Sequence, residues 1–145
     1  MHIFLFDENK MYLKFILVLF IFISKTHTQF PGGQIGNVVR FHRECQSRTG
    51  VSDATALGVT SGRFPNDAAF KRHLLCMNQK MGFQDNNGNI NRNVISRTLR
   101  TAMPNANIEG VMRNCAIQRG SPEETAFAMD QCFFNNLRSS AGGMG

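Results

Sequence analysis

Apolar residues recur along this chain with the period of a helix, and Gly, Pro and short polar residues cut the pattern into six segments. Over residues 34–49, Ile35, Val38, Val39, Phe41, His42 and Cys45 fill much of one side before Gly50 ends the run. Ser52-Asp53 is the start of a short second helix through Leu57, limited by Gly58 and Gly62. Pro65-Asn66-Asp67 opens a third that runs to Met81 and is closed by Gly82. Its Phe70, Leu74, Met77 and Met81 share one face. The fourth covers about Asn91–Met103 and stops at Pro104; the fifth covers Asn107–Arg119 and stops at Gly120. Ser121-Pro122-Glu123-Glu124 starts the sixth, with Ser121 as cap, Pro122 in the first position and Glu124 closing a capping box. That helix carries Phe127, Met129, Cys132, Phe133 and Phe134 to about Leu137. Residues 139–145 lack periodicity and read as a flexible tail. No strand pattern and no internal repeat interrupts the series, so the fold class is all-α.

Residues 1–28 follow a different pattern. Lys10 and Lys14 precede the unbroken apolar run Phe15–Ile23, which is too short for a membrane-spanning helix of about 20 residues. The run fits the apolar centre of a secretory signal peptide, with Thr26-His27-Thr28 supplying small residues for cleavage after Thr28. Asp7 and Glu8 are unusual in such a leader, and translation from Met11 would give a cleaner one. The expected organisation is a removed leader over 1–28, one helical domain over 29–138 and the tail.

Export changes how the cysteines read. Cys45, Cys76, Cys115 and Cys132 all lie beyond the leader, and an even count in a short exported chain argues for two disulfides. Zinc sites favour close pairs such as C-x-x-C, and none is present. Setting aside Lys10, Lys14, Lys25, Asp7 and Glu8 from the 16 basic and 10 acidic residues leaves the remainder about +5. The arginines are scattered without aromatic interleaving, so they read as a solvated surface and nucleic acid is not an expected partner. Beyond the leader there is neither Tyr nor Trp, while Phe and Met are plentiful. Thioethers re-pack around varied apolar shapes.

Catalytic and metal chemistry find little footing. Asp85, Asn87 and Asn89 alternate as a calcium loop begins, but Ile90 stands where glycine is required and Ser96 where the bidentate acid belongs. There is no Gly-x-Ser-x-Gly elbow or His-Glu-x-x-His pair. His42 and His73 read as helix-surface or core-rim residues, with pH sensing as the other reading. No enzyme activity, cofactor or metal is expected.

The spacings Cys45-x30-Cys76, Cys76-x38-Cys115 and Cys115-x16-Cys132, on the first, third, fifth and sixth helices, resemble the insect odorant-binding proteins. Phe64-Pro65 before the third helix adds to the likeness, which covers about residues 35–137. Six-cysteine members carry two more cysteines where this chain has Arg72 and Glu123, so it looks like the four-cysteine Minus-C subgroup. The resemblance implies disulfides Cys45–Cys76 and Cys115–Cys132 and a compact six-helix fold around an apolar cavity. It also suggests that Arg72 and Glu123 lie close enough for an ion pair.

The residues themselves supply a candidate lining. Phe41 and Leu57 come from the first two helices, Leu74, Met77 and Met81 from the third, Val94, Leu99 and Met112 from the next two, and Phe127, Phe133 and Phe134 from the last. About half of these are expected to touch ligand, since periodicity does not separate a pocket from a filled core. The expected function is a secreted carrier of small hydrophobic ligands such as odorants or semiochemicals, found in sensillum lymph or another extracellular fluid. A small apolar ligand is the expected partner; a membrane chemoreceptor and a homodimer are further partners the resemblance leaves open. A non-olfactory lipid or hormone carrier is the alternative, and a cationic host-defence protein a more distant one.

Overall fold

The computed structural model describes residues 32–142; the leader over 1–28 and the last three tail residues lie outside the described residues. The chain divides into two units, Met1–Gly36 and Asn37–Gly145, and the packing below is that of the second. Six α-helices are described: α1 (Gly32–Thr49), α2 (Asp53–Leu57), α3 (Ala68–Met81), α4 (Arg92–Ala102), α5 (Ile108–Cys115) and α6 (Pro122–Gly142). A 3-10 turn, Gly58–Ser61, follows α2 directly.

Short polar side chains set the helix starts. Ser52 accepts from the Thr55 N–H at 3.1 Å, Asp67 from Phe70 at 2.8 Å, and Ser121 from Glu124 at 3.1 Å. Each occupies a backbone donor the helix itself leaves open. Gly82 ends α3 in the left-handed region, φ 77°, a conformation glycine adopts without a Cβ penalty. The expected capping box at α6 is only half present. Glu124 turns outward, and its carboxylate meets Lys71 Nζ of α3 at 2.5 Å.

Two helix ends differ from the sequence reading. α5 stops at Cys115 rather than Arg119 because distant side chains take over its last carbonyls: Arg92 donates to Ala116 O at 2.5 Å and Met112 O at 3.2 Å. The backbone beyond is then held by Thr125, whose hydroxyl oxygen accepts from Arg119 N at 2.9 Å. α6 continues to Gly142, past the expected end near Leu137, with Ser139 Oγ donating back to Asn135 O at 2.9 Å.

Disulfides tie α1 to α3 through Cys45–Cys76 and α5 to α6 through Cys115–Cys132. Burial is organised in two apolar clusters. Val51, Ala56, Phe70, Leu74 and Ala126 form one; Ile95, Ile108, Val111, Met112, Met129 and Phe133 form the centre of the other. Phe64, Phe70 and Phe127 meet edge to face at centroid separations of 6.2–6.5 Å, a favoured aromatic geometry. Arg72 and Glu123 flank one shallow cleft between the starts of α3 and α6, but the ion pair across it is Lys71–Glu124. The Asp85 carboxylate accepts from Asn87 N and Asn89 N at 2.9 and 2.8 Å. Its oxygens therefore organise a turn out of the loop's own amides.

Candidate ligand cavity

A cavity of about 560 Å³ lies where α1, α2, α3 and α6 converge, its wall drawing on both apolar clusters. This is the size range of small-molecule sites. The α3 face contributes His73, Leu74, Met77, Asn78 and Met81, which recur every three or four residues and so lie on one side of the helix. α6 contributes Asp130, Phe133 and Phe134; Phe64, Phe83 and Leu99 close the remainder. Val38, Val39 and Leu57 are large apolar side chains left 42%, 46% and 61% exposed, and all three belong to the wall. They form an apolar rim at which the cavity meets solvent.

Of the residues expected from sequence to line a pocket, Leu57, Leu74, Met77, Met81, Leu99, Phe133 and Phe134 are brought together here. Four are placed elsewhere. Phe41 is half-buried on α1, outside the cavity wall, with the Arg40 guanidinium 5.2 Å from its ring. Val94 faces Gly82 at the end of α3. Met112 is buried in the second cluster, and Phe127 packs against Phe64 and Phe70 with Lys71 over its ring. These four are apolar and correctly inward or half-inward, but a helix has several buried directions and only one faces the void.

Sequence reasoning missed the polar part of the wall. Asp130 and Asn78 face each other across the α3–α6 seam, with Asn78 Nδ2 3.1 and 3.2 Å from the two carboxylate oxygens. Asn78 is itself almost wholly buried, and the same Nδ2 donates to Gln84 Oε1 at 3.2 Å. Loss of solvation drives the Asp130 carboxyl up to about 7, against a partial lowering by the Asn78 hydrogen bond. A signal was available: Phe127, Asp130, Phe133 and Phe134 are spaced three or four apart, so an acid stands within an apolar stripe.

Of the two histidines, His42 stands at the rim as expected and His73 does not. His73 is buried, and His42 Nδ1 lies 3.3 Å from His73 Nε2. His42 Nε2 in turn meets Asp53 Oδ1 at 3.1 Å. Burial, then the charge of His42, lower the His73 pKa. Only one proton fits between the facing nitrogens, so the rings form a pair rather than two separate surface groups. On each helix the histidine precedes the bridged cysteine by three residues. The pair and the Cys45–Cys76 bond are therefore adjacent rungs between α1 and α3.

Among the described residues, no cluster of His, Cys, Asp and Glu could hold a metal ion, and no helix is long and apolar enough to cross a membrane. What the geometry offers is an apolar chamber with two polar points on its wall.

Known proteins share this fold. The chain is 21% identical over 124 residues to odorant-binding protein 10 of Aedes aegypti, covering 84% of this chain and 89% of the relative. Odorant-binding protein dmelOBP28a of Drosophila melanogaster superposes with a TM-score of 0.63 at 18% identity, covering 75% of this chain and 96% of that one. The fatty acid binding protein OBP56a from the oral disk of the blowfly Phormia regina gives 0.61 at 20% identity, with coverage of 78% and 99%. These relatives are binding proteins rather than enzymes, and the four cysteines in two disulfides fit a Minus-C type. Residues 29–136 match the PBP/GOBP family, and the chain belongs to that family of small-ligand carriers.

Proposed function

We propose that this protein is an extracellular carrier that takes up small apolar odorants or related semiochemicals in the α1–α2–α3–α6 cavity and releases them unchanged. The observation that carries this is the cavity of about 560 Å³ with an apolar rim open to solvent. Entry of an apolar molecule buries its surface and that of the wall, at about 25 cal/mol per Å² before ordering costs. Leu74, Met77, Met81, Leu99, Phe133 and Phe134 are the proposed contacts. Secretion rests on the leader over residues 1–28, and a membrane chemoreceptor is the proposed recipient of the cargo. Tissue of expression separates this role from that of a lipid or hormone carrier in another fluid.

The test is saturable binding of a neutral fluorescent apolar probe, Nile red, with displacement by a panel of volatile alcohols, aldehydes and esters. Absence of probe binding by the folded protein refutes the carrier reading.

A further inference from the structure

Among the residues lining the cavity, Asp130 is the only acid, and none is Lys or Arg. Among the described residues Asp130 makes no ion pair; its two oxygens share the single Asn78 nitrogen, which Gln84 also claims. A carboxylate has about four lone-pair positions, and Asn78 takes up only part of that accepting capacity in a wall that is otherwise largely apolar. Charge held in that way is costly unless a counter-ion with its own donors is supplied. None of the cations in the described ion pairs meets Asp130: Lys71 pairs with Glu124, Lys80 and Arg40 with Glu44, Arg100 with Glu109 and His42 with Asp53.

We propose that the cavity prefers small apolar amines, with the ammonium group paired to Asp130 and the hydrocarbon against Leu74, Met77 and Phe133. An ammonium meets both needs of the site at once, since it neutralises the carboxylate and donates up to three hydrogen bonds. A ligand carboxylate has the wrong sign and no donor, and an alcohol supplies a donor without the charge. This deepens the carrier reading above and rests on it.

The other titratable groups facing the cavity are His42 from α1 and His73 from α3. Their protonation in acid opposes a cation, in the same direction as protonation of Asp130. Both effects weaken amine binding as pH falls, so the variant rather than the pH profile assigns the effect to Asp130.

Octylamine, 1-octanol and octanoate share one hydrocarbon length and differ in head group, and each is titrated against Nile red bound to the full protein at pH 8. The wild type is expected to bind octylamine about ten- to hundredfold tighter than octanol, the range of a hydrogen bond to a charged group, with octanoate weakest. In Asp130→Asn the amine-to-alcohol ratio is expected to collapse to within about threefold of unity. Equal wild-type affinities for amine and alcohol overturn the proposal, as does a ratio that survives in Asp130→Asn. Where Asp130→Asn does not fold, Asp130→Ser is read in the same way, and an amine-to-alcohol ratio that survives there overturns the proposal equally. If Nile red and octanol bind normally but the amine gains nothing, only the amine preference fails; if nothing binds, the carrier reading falls with it.

Discussion

Asp130 and His73 stand on the same cavity wall and load the fold with opposite dependences on pH. Burial pushes the Asp130 carboxyl up to about 7 in the folded chain, from an ordinary value of 3.8. Between those values the folded state binds more protons than the unfolded one, so stability falls as pH rises through the interval and stays lower above it. The full difference is at most about 4 kcal/mol, at about 1.4 kcal/mol per pH unit. Asp130→Asn is therefore expected to raise the melting temperature at pH 8 and to change it little at pH 4, as read by circular dichroism. His73 has its pKa lowered by burial and by His42. Its folded state binds fewer protons than the unfolded state once pH drops below the usual value of 6.5, so its contribution is lost on acidification. His73→Gln is expected to flatten the stability loss between pH 6.5 and 5. A steeper loss would show that the ring is stabilised as a cation.

At the scale of elements, α3 supplies the longest stretch of the cavity wall and α6 faces it with Asp130, Phe133 and Phe134. Phe133 is buried in the second apolar cluster and also presents a surface to the void. Removing a wholly packed Phe costs about 3–5 kcal/mol, and Phe70, fully buried in the other cluster, is expected to reach that range as Phe70→Ala. Phe133→Ala is expected to cost less, about 2–3 kcal/mol, because part of its environment is already empty. Chemical denaturation of the two variants gives the comparison. The helices and their starts were legible in the sequence because each rests on neighbours along the chain: Asp67 caps its own third residue, and the apolar face of α3 repeats over four turns. The disulfide pairing, which joins distant residues, came instead from the family resemblance. The end of α5 was not legible, because Arg92 and Thr125, which hold it, arrive from other elements. Phe127 and Phe133 were indistinguishable for a similar reason. Both are inward-facing aromatics on α6, and only the neighbours of each ring decide that the first fills space while the second borders it.

Across the whole molecule, the two disulfides enclose stretches of chain that do not overlap, residues 45–76 and residues 115–132. Everything connecting them is a single strand of polypeptide plus non-covalent contact, chiefly α3 against α6 and the Lys71–Glu124 pair. Exposed ion pairs of this kind contribute only about 0–1 kcal/mol. Arg72 and Glu123 flank the cleft at that seam. Arg72→Cys with Glu123→Cys is expected to form a third bridge on oxidising refolding, closing a loop of about 50 residues worth at most about 4 kcal/mol. Free thiols after refolding would show that the two positions do not meet.

Considered as a graph of covalent bonds, the molecule has a bridge edge: one peptide cut between Cys76 and Cys115 severs it into two pieces. The loop Asp85–Asn87 offers such a cut, being exposed, polar and short of packing. A protease that nicks there produces two disulfide-closed fragments that migrate separately on a non-reducing gel, while in the double-cysteine variant they migrate as one. In the native chain, the nicked halves keep their apolar chamber only for as long as α3 and α6 adhere, so the chamber's lifetime after such a cut is set by a reversible association rather than by the peptide chain.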